Sequence, residues 1–263
     1  MVNIYEAILQ LEKDHMAGAL CTIIDTKGST PRHEGSKMLV LEDGSFIGTV
    51  GGGEVENRVR QEAIQSLLDG KTRLLNYKMV DPQAGDPGVC GGTLEVFVEP
   101  IIPKPLLVVI GGGHVGKAIV TLAKFLDFRV AVSDDRPEFC TPEASPGADE
   151  FYCVPMAQLP EVIKITPHTY LVLTTRGSNI DVEGMAPLLK TPAKYIGVIG
   201  SKRRWLTTRK GLIAQGIAES QLDKVFSPIG LELNAETPEE IAVSILAEII
   251  MVRNGGTGKK MKI

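Results

Sequence analysis

Long apolar runs are missing from this chain of 263 residues. No stretch approaches the roughly 18 consecutive apolar residues of a membrane helix, and even Ile241 to Val252 is broken by Ser244 and Glu248. No membrane span is therefore expected. Cysteine is sparse: Cys21, Cys90, Cys140 and Cys153 stand far apart, which excludes a Cys-x-x-Cys zinc or redox motif and fits a reducing compartment rather than a disulfide framework. His15, His33 and His168 are scattered without metal-ligand spacing, so no metal held by protein alone is expected. Positive charge is not in surplus either. With 28 basic against 32 acidic residues and a net charge of -4, no global field draws the chain to nucleic acid or anionic lipid. Met1-Val2-Asn3-Ile4-Tyr5-Glu6 lacks a basic region followed by an apolar run, so no signal peptide is expected and the expected compartment is the cytoplasm. Internal repeats and low-complexity segments are absent as well.

What is there is ordinary globular material. Hydrophobic residues make up 43% and charged residues 23%, enough for a real core, and the length lies near two units on a prior of roughly 150 residues per domain. Ile4, Ala7, Ile8 and Leu11 mark an amphipathic helix ending near Gly18. A β region follows, with strands over Ala19 to Asp25, Met38 to Leu41 and Phe46 to Val50, the last two joined by Glu42-Asp43-Gly44-Ser45. Asp-Gly there is expected to supply the positive φ angles of a tight hairpin. Val55, Val59, Ala63 and Leu67 repeat on one helix face up to Gly70, and strands Thr72 to Met79 and Thr93 to Val98 enclose a glycine- and proline-rich loop. Pro100, Pro103 and Pro105 suppress regular structure, so the boundary is placed there: an α+β domain over 1–102 and a second domain over 103–263.

In the second domain strands and helices alternate: Leu106 to Ile110, a helix from His114 to Asp127, Arg129 to Ser133, Phe151 to Val154, Tyr170 to Thr174 and Tyr195 to Ile199. That order implies α/β, a Rossmann-type doubly wound parallel sheet covered by helices. It closes with a helix announced by Thr237 as N-cap, Pro238 at its first position and Glu240 as capping-box partner.

The chemistry-bearing motif is Gly111-Gly112-Gly113-His114-Val115-Gly116, between the apolar strand and the helix. The first glycine permits the turn, the second admits a phosphate against the backbone, and the third lets helix and strand pack closely. Asp134 ends the next strand, where an acidic residue usually takes ribose hydroxyls and favours an adenosine without a 2′-phosphate; Asp135 and Arg136 leave that preference open. The alternative is that the glycines merely shape a turn. Two further strand ends converge on the same side: Thr174-Thr175-Arg176-Gly177 and Ile199-Gly200-Ser201-Lys202-Arg203-Arg204. Cations at that helix start oppose the helix dipole unless an anion or acidic partner lies nearby.

The first domain carries three loops of interest. Gly51-Gly52-Gly53 lies between a strand and a helix beginning near Glu54 and either presents free amides to an anion or is only a bend. Gly88-Val89-Cys90-Gly91-Gly92 leaves a cysteine little covered, so Cys90 is the candidate reactive thiol, whereas Cys21 reads as core. Gly28-Ser29-Thr30-Pro31-Arg32 offers Ser29, Thr30 and Arg32, a set suited to a phosphate or polar heterocycle.

Taken in order with Asp134-Asp135-Arg136-Pro137, Ile199-Gly200-Ser201, Ser227-Pro228-Ile229-Gly230-Leu231 and Ala235-Glu236-Thr237-Pro238, these motifs resemble the xanthine dehydrogenase accessory family, also called XdhC/CoxI, over almost the whole chain. The resemblance implies a carrier rather than a conventional enzyme: a factor that binds molybdenum cofactor (molybdopterin), supports its sulfuration with a cysteine desulfurase, and passes it to a molybdenum hydroxylase client. It implies contacts to the cofactor from Ser29, Thr30, Arg32, Gly51, Gly52, Gly53, Gly91, Gly92, Gly111, Gly113, His114, Val115, Gly116, Asp134, Asp135, Arg136, Thr175, Arg176, Gly177, Gly200, Ser201 and Lys202, with Cys90 as sulfur or molybdenum contact. Two positions depart from many relatives: Glu54 replaces a cysteine after the triple glycine, and Ser178 replaces a histidine after Thr-Arg-Gly. A carboxylate cannot stand in for a soft thiolate, so Cys90 stands without a second thiol. An NAD(P) ligand at the glycine turn, with an NAD-dependent oxidoreductase as the activity, and an adaptor between hydroxylase and desulfurase are the alternatives. Oligomeric state is left open by the sequence, a homodimer being the expected assembly.

Overall fold

The computed structural model describes residues 3–80, 87–88 and 90–261. The chain divides into two compact units, Met1–Pro103 and Lys104–Ile263, each with its own core.

Unit 1 begins with α1 (Ile4–Asp14), capped by the Asn3 side chain. Strands β1 (Gly18–Lys27), β2 (Lys37–Leu41), β3 (Phe46–Gly48), β4 (Arg73–Lys78) and β5 (Thr93–Ile101) form an antiparallel sheet in the order β3-β2-β1-β5-β4. Helix α2 (Gly53–Asp69) lies against it, burying Val55, Val59 and Ala63 among Ala19, Cys21, Ile23, Val96 and Val98. Period-two alternation in β5 places Leu94, Val96 and Val98 inward. Two local expectations are corrected. In the turn between β2 and β3 only Gly44 has positive φ, at 79°; the Asp43 carboxylate instead accepts from the Ser45 amide and hydroxyl. Pro100, expected to break structure, lies inside β5 opposite Ala19. Strand β4 pairs β5 only as far as Val98, so the side where a proline lacks its N–H has no ladder to complete.

Unit 2 is a doubly wound α/β unit. Strands β6 (Leu106–Ile110), β7 (Arg129–Ser133), β8 (Glu150–Tyr152), β9 (Thr169–Leu173) and β10 (Tyr195–Val198) are all parallel, in the order β10-β9-β6-β7-β8. Helix α3 (His114–Phe125) and the terminal α8 (Pro238–Asn254) cover one face with Ile119, Val120, Ala123, Ile245, Leu246 and Ile249. The other face is covered by α4 (Leu159–Val162), α5 (Ser178–Leu188), α6 (Lys202–Ala214) and α7 (Glu219–Leu222) through Leu159, Met185, Leu188, Leu212 and Leu222. Packing on both faces explains why every residue of β6 and β9 is buried rather than alternate ones. Direction reverses at β6, the first strand, whose neighbours are β7 on one side and β9 on the other; ligands of such sheets lie beyond the carboxyl ends of the strands at this point. The capping box at Thr237 and Glu240 is present. Helix α3 stops two residues short of Asp127, which turns left-handed at φ 61°. Among the described residues no helix is long and apolar enough to cross a membrane.

Candidate functional site

Because β6, β7 and β9 run in register, Ile110 lies beside both Ser133 and Leu173, and the loops that leave these strands open onto one cavity of about 350 Å³. It is lined by Gly111, Gly113 and His114 from the glycine turn, by Ser133, Asp134, Asp135 and Arg136 after β7, and by Thr174, Thr175 and Arg176 after β9. Eight residues expected from the sequence thus meet here: Gly111, Gly113, His114, Asp134, Asp135, Arg136, Thr175 and Arg176. Val115 and Gly116 lie in the first turn of α3 behind the lining, and Gly177 is the N-cap of α5. Gly200, Ser201 and Lys202, at the start of α6, do not line the cavity. An apolar wall that the sequence did not reveal comes from Phe139, Met156 and Ile180, with Glu183 beside it.

The glycine turn is a packed object. A Cβ on Gly116 would collide with the Gly111 carbonyl oxygen, and one on Gly111 would lie 2.6 Å from the Thr174 oxygen. The Asp134 carboxylate, 5% exposed, is already saturated. It accepts from the Gly112 amide at 2.9 Å, from the Arg136 amide at 3.0 Å, and from Arg136 Nε and Nη2 at 2.9 and 3.0 Å, which fills the acceptor sites of a carboxylate. Burial pushes this carboxyl up, but the Arg136 guanidinium and the Gly112 amide outweigh it and hold it below the usual value. Arg136 in turn lies 3.8 Å over the Phe139 ring.

Two of the basic residues at the strand ends, Arg176 and Arg204, have acidic partners. Arg176 pairs with Asp135 through two bonds of 3.0 and 2.9 Å. Arg204 pairs through Nε and Nη2, at 3.2 and 2.8 Å, with Asp181, whose side chain is 0% exposed, and it also holds the Thr175 carbonyl and hydroxyl at 3.0 and 2.6 Å. The Thr175 hydroxyl donates to Asp181. This network fixes the loop after β9.

In unit 1 the three loops converge. The backbone of Gly28 lies against Gly91 and Gly92, so closely that a Cβ on Gly92 would collide with the Ser29 carbonyl, and Gly51 sits against the Pro31 ring. Ser29 and Arg32 are exposed, and the Thr30 hydroxyl donates to the Arg32 carbonyl at 2.8 Å. Gly51, Gly52 and Gly53 all have positive φ, at 137°, 75° and 62°, a path only glycine follows cheaply. Their amides are partly taken: Gly51 donates to Thr49 Oγ1 at 3.1 Å and Gly52 to the Glu56 carboxylate at 3.3 Å. The same carboxylate accepts from the Thr49 hydroxyl at 2.5 Å. Glu54 is exposed and paired with Arg58 at 2.9 Å, and Arg58 and then Asn57 hold its carboxyl below the usual range. Cys90 is exposed at the edge of this cluster; Val89 lies outside the described residues. Burial pushes the Cys21 thiol up to about 12 and also raises Cys140, whereas Cys153 is exposed.

Comparison with known proteins places this geometry. The XdhC Rossmann domain model matches residues 107–249, and the XdhC and CoxI family model matches residues 11–78. The uncharacterized protein YqeB of Escherichia coli (strain K12) is 36% identical over 262 residues, covering 99% of this chain and 48% of that protein. A probable xanthine dehydrogenase component of Bacillus subtilis (strain 168) is 35% identical over 161 residues, 61% of this chain and 47% of that protein. The chain therefore spans about half the length of these two relatives. The molybdenum cofactor insertion chaperone PaoD of Escherichia coli (strain K12) is 23% identical over 264 residues, 89% of this chain and 83% of that protein. Since the Rossmann-domain model alone spans more than half of the sequence, the chain belongs to the XdhC and CoxI family.

Proposed function

We propose that this chain is an accessory factor that binds molybdenum cofactor as cargo and supports its sulfuration and insertion into a xanthine dehydrogenase-type hydroxylase. The observation that carries the reading is its relation, over nearly the full length of both chains, to a molybdenum cofactor insertion chaperone. The chemistry of unit 1 suits the cargo. Cys90 is exposed beside the Gly28 to Arg32 and Gly91 to Gly92 backbones, and a thiolate is the soft donor in the cluster able to contact molybdenum or a transferable sulfur. Ser29 supplies a hydroxyl and Arg32 a guanidinium for the pterin phosphate, while the Thr30 hydroxyl proton holds the Arg32 carbonyl and so shapes the loop. The Gly51 and Gly52 amides serve the loop itself, since Thr49 and Glu56 occupy them. A cysteine desulfurase is the sulfur donor in this reading, and the hydroxylase is the recipient.

Native mass spectrometry of protein isolated from cofactor-producing cells tests the proposal and reports the number of chains per particle in the same spectrum. The expected result is bound molybdopterin, lost from Cys90→Ala, together with an inactive hydroxylase in a deletion strain. Pterin-free protein and normal hydroxylase activity in the deletion strain would refute it.

A further inference from the structure

Helix α6 carries five basic residues and no acidic one. Two of them are answered within unit 2: Arg204 by Asp181, and Arg209 by Asp223 and Glu219, each at 2.8 Å. Lys202, Arg203 and Lys210 are exposed and have no acidic partner among the described residues. Lys202 and Arg203 moreover stand in the first turn, where the positive end of the helix dipole disfavours a cation. Leu206 and Ile213, 57% and 39% exposed, lie between these three cations. At 3.6 residues per turn the five side chains fall within about 100° around the helix axis, a stripe of charge and aliphatic carbon on the outside of the fold.

The same unit carries a counterpart. Glu232, Glu236 and Glu239 are exposed, their carboxylates have no basic partner among the described residues, and no basic residue stands between Glu232 and Glu240. Beside them Leu233 and Val243 are 52% and 48% exposed. Both patches border one edge of the sheet. Strand β10 is its edge strand, and α6 begins at Lys202 shortly after β10 ends at Val198. Phe226 and Ile229, just ahead of the acidic segment, donate to the Ile196 and Val198 carbonyls of that same strand. Patches of opposite sign on one edge are both satisfied by a twofold axis, which closes at two chains; patches on opposite sides would grow an open filament.

We propose that two copies of this chain pair along the β10 edge of unit 2, the Lys202, Arg203 and Lys210 stripe of each facing the Glu232 to Glu239 segment of the other. The pairing stands without the molybdenum cofactor reading. A nucleic acid backbone would answer the cations but leave Leu206 and Ile213 wet, and the net charge of -4 opposes its approach. A second copy brings carboxylates together with Leu233 and Val243, and so answers both parts of the stripe.

Sedimentation velocity of the full chain tests this. A two-chain particle is expected at about 0.05 M salt, with a dissociation constant at least about tenfold weaker at about 0.5 M, because exposed pairs are screened. Two variants reverse the patches one at a time: Lys202→Glu/Arg203→Glu/Lys210→Glu and Glu232→Lys/Glu236→Lys/Glu239→Lys. Each should keep a native circular dichroism spectrum and sediment as a single chain where the parent is paired. An equimolar mixture of the two should again give two-chain particles, since each then presents the sign that the other lacks. A parent that stays a single chain up to about 100 μM at low salt would overturn the proposal. So would pairing as tight as the parent's in either variant alone, a mixture that stays unpaired, or particles of more than two chains. Capture of a short DNA duplex by the parent and not by the first variant would assign the stripe to nucleic acid and overturn it as well.

Discussion

Removing the Asp181 carboxylate should unfold unit 2 early, and the size of the effect can be worked from its contacts. Asp181 is fully buried and accepts from Arg204 at 3.2 and 2.8 Å and from the Thr175 hydroxyl. Asp181→Ala would strand a guanidinium that is only 20% exposed. Breaking a buried pair from one side costs about 3–5 kcal/mol. The lower end applies here, because Arg204 keeps the Thr175 carbonyl and hydroxyl as acceptors. With a loss of about 3 kcal/mol and an m-value near 2 kcal/mol/M, the urea midpoint should fall by about 1.5 M. Trp205 is the single tryptophan and packs against the unit 2 core, so its fluorescence reads this unit alone. The double variant Asp181→Leu/Arg204→Met should be more stable than the sum of its parts by at least about 1 kcal/mol. A loss of stability below about 0.5 kcal/mol for Asp181→Ala, or strict additivity, would refute the reasoning.

Four further outcomes are expected. Gly116→Ala should fail to accumulate as folded protein by circular dichroism, since its Cβ would overlap the Gly111 carbonyl oxygen; a native spectrum contradicts the packing argument. Thiol labelling followed by peptide mapping should find Cys90 and Cys153 modified in the native state and Cys21 and Cys140 only after unfolding; rapid labelling of Cys21 counts against its burial. Asp134 has a folded pKa below its unfolded value near 4. Its stabilisation is therefore present above pH 4 and is lost as pH falls through the lower folded value. Asp134→Asn should flatten that acid limb in urea titrations, and an unchanged limb would remove Asp134 as its source. Tyr195→Phe should cost about 1–3 kcal/mol, because it leaves the buried Glu248 carboxylate without its hydroxyl donor; an unchanged melting profile would show that another group satisfies Glu248.

Much of unit 2 was legible because its signals are local. Strands β6 and β7 are short β-branched runs bounded by turn residues, and their limits coincide with the reading from sequence. The Thr237 capping box is encoded within four residues and is present. The glycine turn could be placed on a strand and a helix for the same reason. The apolar wall of the cavity was not legible: Phe139 and Met156 sit in a stretch of short 3-10 turns without helical or strand period, so nothing nearby announces which way they face. Asp181 looks like an ordinary first-turn acid, and its burial depends on Arg204 arriving 23 residues later. Glu56 likewise gives no sign in sequence that it folds back onto the Gly52 amide. In each case a long-range or through-space partner, rather than a propensity, decides the side chain's role.

The cover that α8 provides for α3 has a consequence for biosynthesis. More than a hundred residues separate the end of α3 from the start of α8. At the usual elongation speed of roughly 5–20 residues per second, the ribosome therefore needs on the order of ten seconds to deliver the second helix after the first. During that interval Ile119, Val120 and Ala123 lack the partners Ile245, Leu246 and Ile249 that bury them in the finished core. Unit 1, whose sheet and covering helix are complete by residue 103, faces no such wait. The half that carries the glycine turn is thus the half whose nascent chain most needs protection, and slowing translation between residues 125 and 238 should lower its yield of soluble protein far more than slowing it earlier.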